Sequence, residues 1–157
     1  MANKSCFFMG HREADERLLP RLELEISRLI QEENVRYFYV GGYGDFDRLA
    51  AVAVKKAKVR YSDIILMRVL PYHPAEHPID LPEGFDGSYY PDGLETVPKR
   101  YAITRANRLL VDTCDWLICY VCHGASNAGK LLEYAKRREQ KGLLQIINIC
   151  ENRGDTL

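Results

Sequence analysis

The sequence predicts an α/β fold: a single domain, residues 1–157, built on a doubly wound, mainly parallel five-stranded sheet of Rossmann type. Strand-like apolar runs alternate with helix-like amphipathic segments along nearly the whole chain, which is typical of layered α/β domains. The 157 residues suffice for one domain with a substantial core. Because crossovers between parallel strands are right-handed, the binding site is expected at the carboxyl ends of the strands.

The first part of the chain predicts three strands separated by two helices. The strands are the apolar runs SCFFMG, VRYFYVGG and DIILMRVL, at residues 5–10, 35–42 and 63–70. In LLPRLELEISRLIQEE, leucine and isoleucine recur every four residues and form one helical stripe. Pro20 is tolerated only in a first turn, so this helix is expected to begin near Leu18 or Leu19. The segment GYGDFDRLAAVAVKKAK predicts a glycine-rich turn and an alanine-rich helix.

Residues 71–98 interrupt this alternation. They hold six of the seven prolines and show neither helical nor strand periodicity. We interpret them as a long irregular loop, either a lid over the site or a mobile surface excursion. Its aromatic residues Tyr72, Tyr89 and Tyr90 either stack on a base or form contacts between subunits.

Regular patterns return after the loop. KRYAITRANRLLVDTCD predicts a helix, WLICYV the fourth strand, and LLQIINIC the fifth. Between the last two strands lie a glycine-containing turn and another helix. The near-continuous hydrophobicity of the third strand, DIILMRVL, predicts burial on both faces, as in parallel sheets.

Charge and cysteine usage limit the partners and the compartment. The 22 basic residues balance the 22 acidic ones, so we expect neither duplex nucleic acid nor a membrane as a partner. The five cysteines are odd in number and lie mostly in apolar runs, which favours free thiols in a reducing cytoplasm. Cys119 and Cys122 are interpreted as a pair on a strand and its exit, not as a redox or zinc motif. Without an apolar leader or membrane-spanning run, a cytoplasmic protein is expected.

Three glycine-containing turns are predicted to meet at one edge of the sheet, after the first, second and fourth strands. They contain the predicted ligand-binding residues Gly10, His11, Arg12, Gly41, Gly42, Gly44, Asp45, His123, Gly124, Ser126, Asn127 and Gly129. Glycine permits close backbone approach, and the helix after each turn presents unpaired N–H groups. With Arg12 and Arg105 nearby, the three turns predict a site for a phosphate-bearing ligand. For each turn taken alone, a tight βα connection is the alternative.

Several of these residues have a second interpretation. His11 either contacts phosphate or is a turn residue without a catalytic task. Asp45 or Asp47 either holds a ribose hydroxyl or caps the following helix, and at least one is expected to be a cap. Ser126 or Asn127 either donates hydrogen bonds to the ligand or caps its helix, and capping is favoured.

Residues 124–130 also spell G-x-x-x-x-G-K, the beginning of a phosphate-binding P-loop. In P-loop proteins the Ser or Thr after the lysine holds Mg²⁺. Leu131 occupies that position here and has no metal-binding atom. We therefore do not expect a triphosphatase, and the sequence predicts neither a metal nor a cofactor.

Four stretches carry a family resemblance: CFFMGHR, GGYGDFDRLAA, RANRLLVDTCDWLICYV and LEYAKRR. Together they resemble the SLOG superfamily, most closely its YpsA-like branch. That superfamily includes LOG-type nucleoside-monophosphate phosphoribohydrolases and the DNA-processing protein A family. The resemblance implies a Rossmann-like fold, a nucleotide ligand and a homodimer or higher homo-oligomer, with the helix of residues 99–113 as a candidate interface.

The resemblance to LOG-like enzymes also implies a turn of the pattern G-G-x-G-T-x-x-E. The corresponding positions here are Ser126, Asn127, Gly129, Lys130 and Glu133, so only the final glycine and the glutamate match. Glu133 would stabilise positive charge on the ribose or activate water, and Arg105, with Arg108 as its competitor, would hold the phosphate or departing base. Pairing with Arg137 on the same helix is the structural alternative for Glu133.

The sequence thus supports three functions in decreasing order. The first is a module that binds a nucleotide or nucleotide derivative for sensing or signalling, because three glycine turns occur without a complete catalytic signature. The alternative is an N-glycosidase, a phosphoribohydrolase acting on nucleoside 5′-monophosphates or related nucleotides through Glu133 and Arg105. Single-stranded DNA binding comes last, since it rests on kinship alone and the charges balance.

Overall fold

A computed structural model describes residues 2–150 of the chain. Within these residues the strands are β1 (Lys4–Gly10), β2 (Val35–Val40), β3 (Ile65–Val69), β4 (Gly87–Tyr89), β5 (Trp116–Tyr120) and β6 (Gln145–Asn148). The helices are α1 (Leu19–Glu33), α2 (Asp45–Arg60), α3 (Ala102–Thr113) and α4 (Asn127–Gln140). Residues 1 and 151–157, which belong to the predicted domain, lie outside the described residues.

The six strands form one parallel sheet in the order β4-β3-β2-β1-β5-β6. The chain builds outward from β1 to β4, then returns to place β5 on the other side of β1. This confirms the predicted doubly wound fold, and it creates a switch point between β1 and β5. The start of α1 at Leu19, one residue before Pro20, also agrees with the prediction.

The sheet is buried on both faces. Cys6 and Phe8 of β1 pack in a core cluster with α1 and α2. Phe7 and Met9 point the opposite way, into a cluster with α3 and α4. Successive side chains of a strand alternate between faces, so a continuous apolar run is what a sheet covered by helices on both sides requires.

The prediction of five strands was wrong by one, because β4 lies within the supposed irregular loop 71–98. This three-residue strand pairs with Met67–Val69 at the edge of β3. Asp86, just before it, accepts a hydrogen bond from the Leu66 N–H at 2.8 Å and pairs with Lys58. A strand this short has no visible period, and it is held by the unpaired edge of β3 rather than by its own pattern.

The expectation of free thiols throughout was wrong in part. Cys122 and Cys150 form a disulfide, whereas Cys6, Cys114 and Cys119 are free and buried. The disulfide joins the segments that follow β5 and β6, two neighbouring parallel strands. Cys119 is not bonded to Cys122, in agreement with the non-redox interpretation of the C-x-x-C. Burial raises the pKa of Cys119 to about 12, which makes its thiol unreactive.

Candidate functional site

A cavity of about 730 Å³ opens at the carboxyl ends of β1, β2 and β5. It lies at the switch point of the sheet, where open α/β folds usually bind ligands. Its walls come from the segments after these three strands, the end of β3, the beginning of α4 and the first half of α3. Its volume is in the range of small-molecule sites. We call this cavity the switch-point cavity.

Most of the predicted ligand-binding residues line the switch-point cavity: Gly10, His11, Arg12, Gly41, His123, Ser126 and Asn127. The others lie in the same three turns without lining it: Gly42, Gly44, Asp45, Gly124 and Gly129. The turns therefore converge as predicted, but only part of each turn faces the cavity.

Glycine in the turns after β1 and β2 is required by contacts within the chain. A Cβ at Gly10 would lie 2.7 Å from the Phe46 ring. Gly44 has a φ of 105°, which L side chains rarely adopt, and a Cβ there would lie 2.7 Å from the Arg12 Cα. At these two positions the tight-connection interpretation of the sequence accounts for the glycine without a ligand.

The turn after β5 leads into a capped helix. Ser126 is the N-cap of α4, and its Oγ accepts a hydrogen bond from the Gly129 N–H at 3.0 Å, which confirms the capping interpretation. A Cβ at Gly129 would lie 2.6 Å from the Gly124 backbone, whereas one at Gly124 would meet nothing within 4 Å. The first two residues of α4, Asn127 and Ala128, line the cavity, and their N–H groups have no acceptor inside a helix.

His11 connects the turn after β1 to the turn after β5. Its Nε2 accepts a hydrogen bond from the Cys122 N–H at 2.8 Å. Its ring stacks on His123 with 4.5 Å between the centroids. Burial, and then the neighbouring His123, lowers the pKa of His11, so the ring is neutral at pH 7 and keeps the lone pair that this bond needs. His11 thus lines the cavity while serving as a structural turn residue.

Two carboxylates line the switch-point cavity: Glu13, which is exposed, and Asp47, which is half-buried. The Asp47 Oδ2 accepts a hydrogen bond from the Tyr43 N–H at 3.0 Å, and a Cβ at Gly41 would lie 2.9 Å from the same oxygen. Burial raises the pKa of Asp47 to about 6, although the Tyr43 hydrogen bond and the charge of Arg68 oppose the increase.

Asp45 has a different task from Asp47. It accepts a hydrogen bond from the Ala14 N–H at 3.3 Å and so ties the β1–α1 segment to the start of α2. The expectation that at least one of the two aspartates caps α2 was wrong, because the N-cap is Gly44 and no side chain caps the helix. Residues two apart on an α-helix point about 200° apart, so the sequence did contain a signal that only one of the two could face the cavity.

The basic residues of the cavity differ from the predicted catalytic arginine. Arg12 and Lys130 line it, and so does Arg108, the competitor of Arg105 for the catalytic role, whereas Arg105 itself does not. The predicted catalytic Glu133 is exposed and does not line it either. In this chain the cavity therefore brings together two carboxylates, Glu13 and Asp47, and the three basic residues, and it leaves Glu133 and Arg105 outside.

Neither known protein families nor curated proteins match this sequence. The resemblance to the SLOG superfamily accordingly depends on the four motifs alone. Over residues 2–150, no three His, Cys, Asp or Glu side chains gather as metal ligands. In the same range, no helix has the length and apolar character needed to cross a membrane.

Proposed function

We propose that this chain binds a nucleotide or nucleotide derivative in the switch-point cavity. The observation that carries the proposal is the chemistry of two cavity walls on either side of β1. Asp47, after β2, supplies a carboxylate that can accept hydrogen bonds from ribose hydroxyls. The N-terminus of α4, after β5, supplies backbone donors of the kind that bind phosphate.

These two walls define an orientation for the ligand. The sugar would lie toward Asp47, because a carboxylate repels phosphate. The phosphate would lie toward α4, where Lys130 adds a positive charge to the helix dipole. The apolar side chains of Met9, Ile103 and Leu131 also line the cavity and provide a surface for a base.

Binding is favoured over cleavage by the location of the predicted catalytic pair. Glu133 and Arg105 do not line the cavity, so a nucleotide held there would not contact the carboxylate assigned to the glycosidase. Single-stranded DNA ranks last, because balanced charge gives little attraction for a polyanion.

Isothermal titration calorimetry at pH 8 tests the proposal with the four common nucleoside 5′-monophosphates, the matching nucleosides and cyclic dinucleotides. At least one phosphorylated ligand should bind, and for a monophosphate the matching nucleoside should bind at least about tenfold more weakly, since it lacks the charge-assisted bonds to phosphate. No binding by any nucleotide up to about 1 mM would refute the proposal.

A pair of variants on α4 tests the orientation. Lys130→Gln should weaken binding of the tightest nucleotide about five- to tenfold, because it removes a charge next to the phosphate. Lys136→Gln removes the same charge from an exposed position of the same helix that does not line the cavity, and its affinity should be unchanged. Equal losses in the two variants would contradict the orientation.

Chromatography separates binding from cleavage. After incubation with the nucleoside monophosphates, no free base should appear. Free base that disappears in Glu133→Gln would establish the N-glycosidase instead.

A further inference from the structure

A second cavity, of about 390 Å³, adjoins the switch-point cavity. The two have Tyr43, Val69 and Pro71 in common, so a ligand can extend from one into the other. The remaining wall is formed by the end of β3 and by residues 71–79, the first part of the proline-rich segment. We call it the β3 cavity.

Arg68 of β3 is the cation of the β3 cavity. Its guanidinium lies where a Cβ at Gly42 would be, so any side chain at that glycine would overlap it. The Cζ atom of Arg68 lies 5.8 Å from the centroid of the Phe85 ring. These neighbours limit the position of the guanidinium, but they accept no hydrogen bond from its N–H groups.

The Arg68 guanidinium has no hydrogen-bond acceptor and no ion-pair partner among residues 2–150. By contrast, the Arg36 guanidinium, also in the sheet, pairs with Asp63 at 2.9 Å. Arg68 is half-buried, and its guanidinium presents five N–H donors in a fixed geometry that matches a carboxylate or phosphate. An anionic ligand group would satisfy them.

Neither nearby acid forms a hydrogen bond or ion pair with this group. Asp47 is close enough for Arg68 to influence its pKa, but its Oδ2 is bonded to the Tyr43 N–H. Glu76 lines the β3 cavity from an exposed position and forms no ion pair with Arg68. Beside it, the rings of Tyr72 and His77 lie 4.7 Å apart at 34° and form an aromatic surface in the same cavity.

We propose that the β3 cavity binds the second half of an extended nucleotide, namely a ring or sugar that carries a negative charge. Arg68 would hold the carboxylate or phosphate in the bidentate manner of guanidinium groups. Tyr72 and His77 would contact the ring that bears it. The inference depends on the proposed function, because the first half of the ligand must occupy the switch-point cavity.

Two dinucleotides that differ in a single charge test this inference. Nicotinic acid adenine dinucleotide has a carboxylate where nicotinamide adenine dinucleotide has a carboxamide. By calorimetry at pH 8, above the pKa of about 6 of Asp47 in the wild type, the carboxylate form should bind the wild type about tenfold more tightly. Arg68→Gln should abolish this preference and leave the affinity for AMP unchanged. UDP-glucuronate and UDP-glucose provide a second comparison with another base, and UDP-glucuronate, which has the carboxylate, should bind more tightly.

Matched variants complete the design. Arg48→Gln removes the same charge from an exposed position of α2 that lines neither cavity, and it should retain the preference. Arg68→Lys keeps the charge without the bidentate geometry, and it should retain part of the preference for the carboxylate ligand. Unchanged thermal melting of Arg68→Gln would show that its fold is intact.

The outcomes distinguish this inference from the proposed function. If a mononucleotide binds but neither charge-matched pair is discriminated, the β3 cavity is not an anion site and only this inference fails. A preference that persists in Arg68→Gln would also overturn it. If no nucleotide binds the wild type, the proposed function fails and this inference fails with it.

Discussion

Two walls of the switch-point cavity are held in place by different kinds of interaction. The β2 wall, residues 41–47, is positioned by close packing: Gly44 lies against the Arg12 backbone, and Phe46 is fully buried. The β5 wall, residues 122–130, is mostly exposed. It is held by the disulfide from Cys122 and by the hydrogen bond of the Cys122 N–H to His11.

This difference between the two walls predicts how each of them responds to substitution. Phe46 of the β2 wall belongs to the core, so a change at this residue disturbs the packing against the sheet. The β5 wall is close-packed only where Gly129 meets the Gly124 backbone; elsewhere it depends on individual bonds, each of which can be removed while the core remains. Substitutions should therefore act on the β2 wall through strain and buried charge, and on the β5 wall through the loss of single bonds.

The largest effect is expected from breaking the disulfide of the β5 wall. Cys150→Ser should lower the free energy of unfolding by about 3.5 kcal/mol, the chain-entropy value for a loop of this size; the two cysteines are 28 residues apart. Urea denaturation measures this. A reducing agent should lower the free energy of unfolding of the wild type by the same amount and leave that of the variant unchanged. A variant as stable as the oxidised wild type would mean that other contacts hold the β5 wall.

The next effect concerns a glycine of each wall. Gly44→Ala should lower the free energy of unfolding by about 2 kcal/mol, because the left-handed backbone and the Arg12 contact both oppose a side chain. Gly124→Ala, where a Cβ meets nothing within 4 Å, should stay within about 0.5 kcal/mol of the wild type. Thermal denaturation compares them. Similar losses at both positions would remove the distinction between the walls.

A smaller effect of opposite sign is expected for Asp47, the half-buried carboxylate of the β2 wall. The pKa of Asp47 is raised from 3.8 to about 6, so the folded state favours the neutral carboxyl. The destabilisation is absent below pH 3.8 and complete above pH 6. Asp47→Asn should therefore stabilise the protein at pH 8 by about 1 to 2 kcal/mol after allowance for solvent screening.

Denaturant unfolding across the pH range checks the Asp47 prediction. The advantage of the asparagine should shrink through pH 6 and vanish near pH 4, following the titration of the carboxyl. An advantage that is constant with pH would assign the effect to packing. Nucleotide affinity of the wild type should also fall below about pH 6 as the carboxylate is protonated.

The smallest effect is expected at the helix cap of the β5 wall. Ser126→Ala should cost about 1 kcal/mol of stability, because the Gly129 N–H loses its acceptor. Ser126→Asn keeps a side-chain oxygen and should lose little. Thermal melting compares the three proteins. Equal losses in both variants would show that Ser126 contributes packing rather than a cap.

Local features of this molecule were the ones that could be predicted. The start of α1 follows from Pro20, and the cap of α4 follows from Ser126, because both depend on residues within one turn. The strand β4 could not be predicted in this way. Its three residues are ordered by the edge of β3 and by Asp86, which bonds to Leu66 across the sheet.

By itself, the sequence determined the doubly wound class of the sheet and the meeting of three turns at its carboxyl edge. These follow from periodicity and turn residues, which act over a few positions. Only the tertiary structure decided that Asp47 rather than Asp45 lines the cavity, and that Cys122 pairs with Cys150. Such choices depend on the rotation of each helix against the sheet and on distances between strand ends that are remote along the chain.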